Sequence, residues 1–143
     1  MKLELKTTAS PIASGRSSEF SSHRAGGRLL SAAVHALLGW SIARQEGPRD
    51  GEPPWAGWAL LRSPDGAMKI ELQYEPHYRP PVWPAADGEQ LMMVHLDIGV
   101  DDLEAGVAWA TQAGARVAAH QPQPDVRVML DPEGHPFCLF PWA

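Results

Sequence analysis

The sequence predicts an α+β domain of two matched strand–helix–strand–strand–strand halves that share one core, with a pocket between them. Three observations carry this. Residues 34–43, "VHALLGWSIA", and residues 109–118, "WATQAGARVA", each end an apolar-periodic helix at a glycine and then enter a short strand. Residues 63–66, "SPDG", and 131–134, "DPEG", each make a turn that opens a further apolar strand. The order of these pieces is the same in both halves. One supersecondary unit occurring twice implies halves that bury a common face, and a seam between halves is a frequent place for a small ligand.

In the first half, residues 2–6, "KLELK", alternate, with Leu3 and Leu5 toward a core and Glu4 on the opposite face. Residues 7–27 are rich in Ser, Ala and Gly without periodicity and read as a loop of unusual length. Over 28–38, Leu29, Leu30, Ala33, Val34, Leu37 and Leu38 form one helical stripe that Gly39 ends. "WSIAR" (40–44) is a strand, and "QEGPRDGEPP" (45–54) is a polar Gly/Pro loop. "WAGWALLRS" (55–63) and "MKIELQY" (68–74) are strands on either side of the "SPDG" turn. This first module covers about 1–75. Residues 76–90, "PHYRPPVWPAADGEQ", are a Pro-rich crossover.

The second module, 91–143, is more regular. From Val94 onward the run "LMMVHLDIGV" (91–100) alternates: Val94, Leu96 and Ile98 share one face, and His95 and Asp97 share the other. Asp101 is the expected helix cap, with Glu104 three residues on to complete a capping box. Leu103, Val107 and Ala110 form the buried stripe, and Gly114 stops the helix. "ARVAAH" (115–120), "VRVML" (126–130) and "PFCLFPW" (136–142) are strands, the first two separated by the loop "QPQPD" (121–125).

Composition limits the function. The chain has 143 residues, of which 44% are hydrophobic, enough for one domain with a real core. The net charge is −5 and Lys and Arg are not clustered, which argues against a nucleic-acid partner. No apolar run approaches the roughly 20 residues that cross a bilayer, and the N-terminus lacks the apolar stretch of a signal peptide. A lone cysteine, Cys138, forms no intrachain disulfide and fits a reducing compartment, so a cytoplasmic location is expected. No phosphate-binding Gly-rich loop, nucleophile elbow or paired-cysteine motif is present.

These pieces resemble a known family. "ALLGW" (36–40), "PPVWP" (80–84), "HLDIGVDDLEAGVAWATQAGARV" (95–117) and "LDPEGHPFCLF" (130–140) are similar to the small bacterial glyoxalase-like proteins of the vicinal oxygen chelate superfamily, which holds glyoxalase I, bleomycin-resistance proteins and extradiol dioxygenases. The resemblance implies that the two βαβββ modules form a curved mixed sheet around a central pocket, with the helices outside. It also implies a small-molecule ligand and a homodimer. The superfamily hosts many chemistries on this scaffold, so the fold does not name the reaction.

In metal-dependent members the ligands come from the first and last strands of each module. By position this implies His95 from the first strand of module two and Glu71 from the last strand of module one. These are the candidate catalytic residues and the candidate ligands of one divalent ion. The last strand of module two carries Cys138 where a carboxylate is expected, and Glu4 aligns with the first position of module one. The usual ligand set is therefore at best half present. Without an ion, His95 and Glu71 read as a hydrogen-bonded polar pair on a pocket wall, itself an acid/base couple. Gln73, Trp83, Asp97, Cys138 and Phe140 are the other candidate pocket residues. Two functions follow. One is a lyase, isomerase or ring-cleaving dioxygenase with a degenerate metal site; the other is a non-catalytic protein that sequesters a drug or metabolite.

Overall fold

A computed structural model describes the backbone of residues 2–6 and 34–142, and the side chains of 34–142. The expectations for Leu3, Leu5, the 7–27 loop and the beginning of the first helix lie outside these residues. Among the described residues, eight strands and two helices follow the expected order. They are β1 (Lys2–Lys6), helical residues 34–38 (α1), β2 (Ser41–Glu46), β3 (Trp58–Arg62), β4 (Lys69–Gln73), β5 (His95–Val100), α2 (Leu103–Gln112), β6 (Arg116–Val117), β7 (Arg127–Leu130) and β8 (Pro136–Pro141). The chain is α+β, as its sequence predicts.

The strands form two sheets. One has five strands in the order β1-β5-β8-β7-β6, and the other has three in the order β2-β3-β4. The β1–β5 and β5–β8 pairs are parallel; the remaining pairs are antiparallel. β1 thus leaves the other strands of its own half and pairs with β5 of the second. Alternation in a sequence fixes the faces of a strand and not its neighbours, so this exchange was not readable from "KLELK".

The two halves share one core. Leu38, Trp40, Ala59 and Leu61 from the first half are buried with Ile98, Val100, Met129, Phe137 and Leu139 from the second. β3 buries alternate residues, Ala59 and Leu61, as the period-2 pattern requires, whereas β5 is buried continuously from Asp97 to Val100 because both of its faces are covered. α2 lies against this layer through its smallest residues, Gly106 and Ala110. A β-carbon on Gly106 would stand 3.0 Å from a methyl of Val100, so glycine sets how closely helix and strand approach. The Trp109 indole donates to the Leu37 carbonyl at 3.2 Å and ties α2 to α1. The cavity between these helices and β8 measures about 20 Å³, room for one water molecule.

The duplicated turns are alike in detail. The Gly66 N–H donates to Ser63 O at 2.9 Å, and the Gly134 N–H donates to Asp131 O at 3.0 Å. Both glycines have positive φ, 73° and 89°. The α2 cap differs by one residue from expectation. Asp102, not Asp101, has the extended cap conformation, and its carboxylate accepts the Ala105 N–H at 2.7 Å. With two adjacent aspartates, register is decided by which side chain reaches a free N–H of the first turn. Glu104 consequently sits in the first turn, favourably near the positive helix end, without closing a capping box on Asp101.

The crossover is pinned to the second half. The Tyr78 hydroxyl donates to the Glu133 carbonyl at 3.0 Å and lies 3.2 Å from His135 Nδ1, with the two rings stacked at 5.0 Å. Trp83 donates from its indole to the His120 carbonyl at 3.2 Å. His135 takes part in this contact while its side chain stays 44% exposed.

Two predictions follow from the packing. Gly57 has φ +133°, and a β-carbon there would fall 2.3 Å from the Glu46 carbonyl oxygen. Gly57→Ala is expected to cost about 1–3 kcal/mol in urea unfolding; an unchanged midpoint would contradict the close approach of β2 and β3. Burial, reinforced by the Asp131 charge and opposed by His135, raises the Glu133 pKa above its ordinary 4.5. The folded state therefore holds that proton more tightly than the unfolded chain. Stability is lost as pH rises from about 4.5 through the raised value. Glu133→Gln should flatten this part of the stability–pH curve; a variant with the wild-type slope would contradict it.

Candidate functional site

The register of β5 against β8 builds the site. Leu96 faces Phe137 and Ile98 faces Leu139, and these residues belong to the core layer under α2. Asp97 is therefore on the opposite face, beside its register partner Cys138. His95, two residues before Asp97, shares that face. Gly99 and Phe140 form the next register pair along it.

Three donors of different chemistry converge here. One ligand atom from each of His95, Asp97 and Cys138 lies within 4.8 Å of the others. His95 Nε2 is 3.0 Å from Asp97 Oδ1, and their side chains are only 18% and 8% exposed. Met92 Sδ lies 2.9 Å from His95 Nδ1, which holds the ring from its other edge. An imidazole braced on both nitrogens is held in one orientation. A buried carboxylate is tolerated only with charge or hydrogen-bond partners, and His95 supplies one. Glu4 lies in register with Asp97 on β1; its side chain is outside the described residues.

An aromatic pair borders the donors. Phe140 and Trp142 rings are 5.9 Å apart. The Trp142 N–H donates to Val100 O at 2.9 Å, so the chain stays against β5 after β8 ends. A β-carbon on Gly99 would stand 2.2 Å from Trp142 Cε3. The missing side chain at position 99 is what lets the indole pack this closely on the strand.

The sequence-predicted residues divide between two places. His95, Asp97, Cys138 and Phe140 come together on this face. Glu71 and Gln73 are exposed on β4 in the three-stranded sheet, opposite Leu60 and Trp58 of β3. The ion pair of His95 is thus with Asp97, its neighbour on the same strand, and Glu71 is not part of the convergent cluster. Trp83 is half-buried and bonded to the β6–β7 connection. The bracing by Met92 and the gap at Gly99 escaped the sequence reading. The i, i+2 spacing of His95 and Asp97 was visible, but its pairing with Cys138 needed the strand order.

The profile of the glyoxalase-like domain matches residues 34–140, three-quarters of the chain. The chain belongs to the glyoxalase-like domain family. With it comes membership of the vicinal oxygen chelate superfamily. No curated protein matches it in sequence. Among solved structures, a glyoxalase family protein from Enterococcus faecalis is 15% identical over 96% of this chain and 93% of that one, with a TM-score of 0.53. A possible glyoxalase from Bacillus cereus is 13% identical over 97% and 95%, with a TM-score of 0.51. Glyoxalase I from Zea mays is 16% identical over 98% of this chain and 44% of that one, with a TM-score of 0.54. The glyoxalase-like domain thus spans under half of the maize protein. At these identities the likeness shows the fold. No helix among the described residues is long and apolar enough to cross a membrane.

In this glyoxalase-like domain the close fit of Trp142 over Gly99 gives a direct test. Gly99→Ala should expel the indole and cost about 1–3 kcal/mol by overpacking, read by chemical denaturation with near-ultraviolet circular dichroism. Wild-type stability with an unaltered aromatic spectrum would contradict the packing described.

Proposed function

We propose that this glyoxalase-like domain binds a small oxygen-bearing molecule on the face formed by His95, Asp97 and Cys138. A divalent ion held by these three residues would make it a lyase or isomerase. The observation that carries this reading is the convergence of a nitrogen, an oxygen and a sulfur donor within 4.8 Å on the sheet face turned away from α2. The donor set fits a first-row divalent ion, which takes histidine nitrogen, carboxylate oxygen and thiolate sulfur. Such an ion, when bound, stabilises negative charge developing on a substrate oxygen. The chain's own residues orient and shield. Met92 Sδ lies beside His95 Nδ1, binding of the ion would replace the His95 Nε2–Asp97 Oδ1 contact, and Phe140 with Trp142 supplies an apolar border on one side. Glu71 has no part in this reading.

A second reading rests on that aromatic wall. The Phe140–Trp142 pair beside a polar cluster also suits a protein that sequesters a flat drug or metabolite without turning it over. We further propose a cytoplasmic homodimer. Support comes from the single cysteine and from exposed apolar residues Leu91, Met93 and Val94 immediately before β5.

Elemental analysis after dialysis against mixed divalent ions tests the first reading. It is expected to give one ion per chain, with affinity lowered by about tenfold or more in His95→Ala. No retained ion, together with a thermal shift on adding flat aromatic compounds that Phe140→Ala abolishes, would replace it with the second.

A further inference from the structure

The three donors are unlike one another, and that has a consequence for which ion they hold. Sites of carboxylate and imidazole alone accept magnesium, manganese or iron; a thiolate biases selection toward softer ions, and zinc takes all three ligand types. Charge points the same way. A neutral imidazole, a carboxylate and a thiolate together carry two negative charges, which one divalent cation balances. Position supports it as well. Cys138 is the register partner of Asp97, so sulfur and carboxylate leave adjacent strands side by side, and the imidazole stands one pleat along the same face.

Resting on the reading that this face binds a divalent ion, we propose that Cys138 is a thiolate ligand. The centre is then a mixed nitrogen–oxygen–sulfur site that selects zinc-like ions and rejects magnesium and manganese. Cys138 is the residue that determines this selectivity. The thiol proton is released to solvent as the metal–sulfur bond forms, and no redox change is involved.

Cobalt(II) tests this, because it occupies zinc-type sites and its absorption reports sulfur ligation. The metal-free full chain is titrated with cobalt and followed optically. The expected result is a sulfur-to-cobalt charge-transfer band in the near ultraviolet that saturates at a single equivalent. It should be abolished by zinc and unaffected by a large excess of magnesium. Cys138→Ser, which keeps His95 and Asp97, should lose the band and bind cobalt about tenfold or more weakly. Should that variant fail to fold, the wild-type band still decides. So does alkylation of Cys138, the chain's single cysteine, which zinc should slow strongly. Stoichiometric cobalt without a near-ultraviolet band overturns the thiolate assignment and leaves the divalent-ion reading standing. Absence of cobalt binding to the wild-type chain overturns both.

Discussion

The parallel register of β5 on β8 is the constraint on which both the core and the site depend. One set of partners, Leu96 with Phe137 and Ile98 with Leu139, goes under α2. The alternate set, Asp97 with Cys138 and Gly99 with Phe140, goes to the other face. A one-residue slip would exchange these sets and bury a carboxylate and a thiol in the apolar layer. The hydrophobic burial that stabilises the fold is therefore the same interaction that aligns the donors. Ile98 and Leu139, both essentially inaccessible to solvent, hold Asp97 and Cys138 in place from behind.

Local signals in the chain were read well where one residue type has one physical use. Gly66 and Gly134 marked matched turns, and "HLDIGV" showed which residues share a face. Those signals are ambiguous where two residues compete or where neighbours in space are distant in sequence. Asp101 and Asp102 are both capable caps, and only geometry separates them. Glu71 and His95 each sit on the polar face of a strand, which was correctly legible. Their strands belong to different sheets, and no periodicity encodes that. The pairing of β1 with β5, across the two halves, is hidden for the same reason. The partner of His95 stands two residues away in Asp97, on the same face of the same strand.

The site departs from the ligand pattern that the superfamily resemblance implies. That pattern draws on the last strand of module one, whereas here the described donors come from β5 and β8 alone. The described donors thus lie within the second half and are supported by its core. The first half contributes to this support by burial, through Leu38, Trp40 and Leu61. The two halves are joined in sequence by a crossover that Tyr78 and Trp83 fasten to the β7–β8 turn and the β6–β7 connection.

An anomalous difference map at the zinc edge, from crystals of the full chain grown with zinc, tests the central claim most directly. The account predicts one strong peak bonded to His95, Asp97 and Cys138, with the zinc–sulfur distance near 2.3 Å. A map with no peak there, or with zinc bound only at exposed histidines such as His77 and His120, would contradict it.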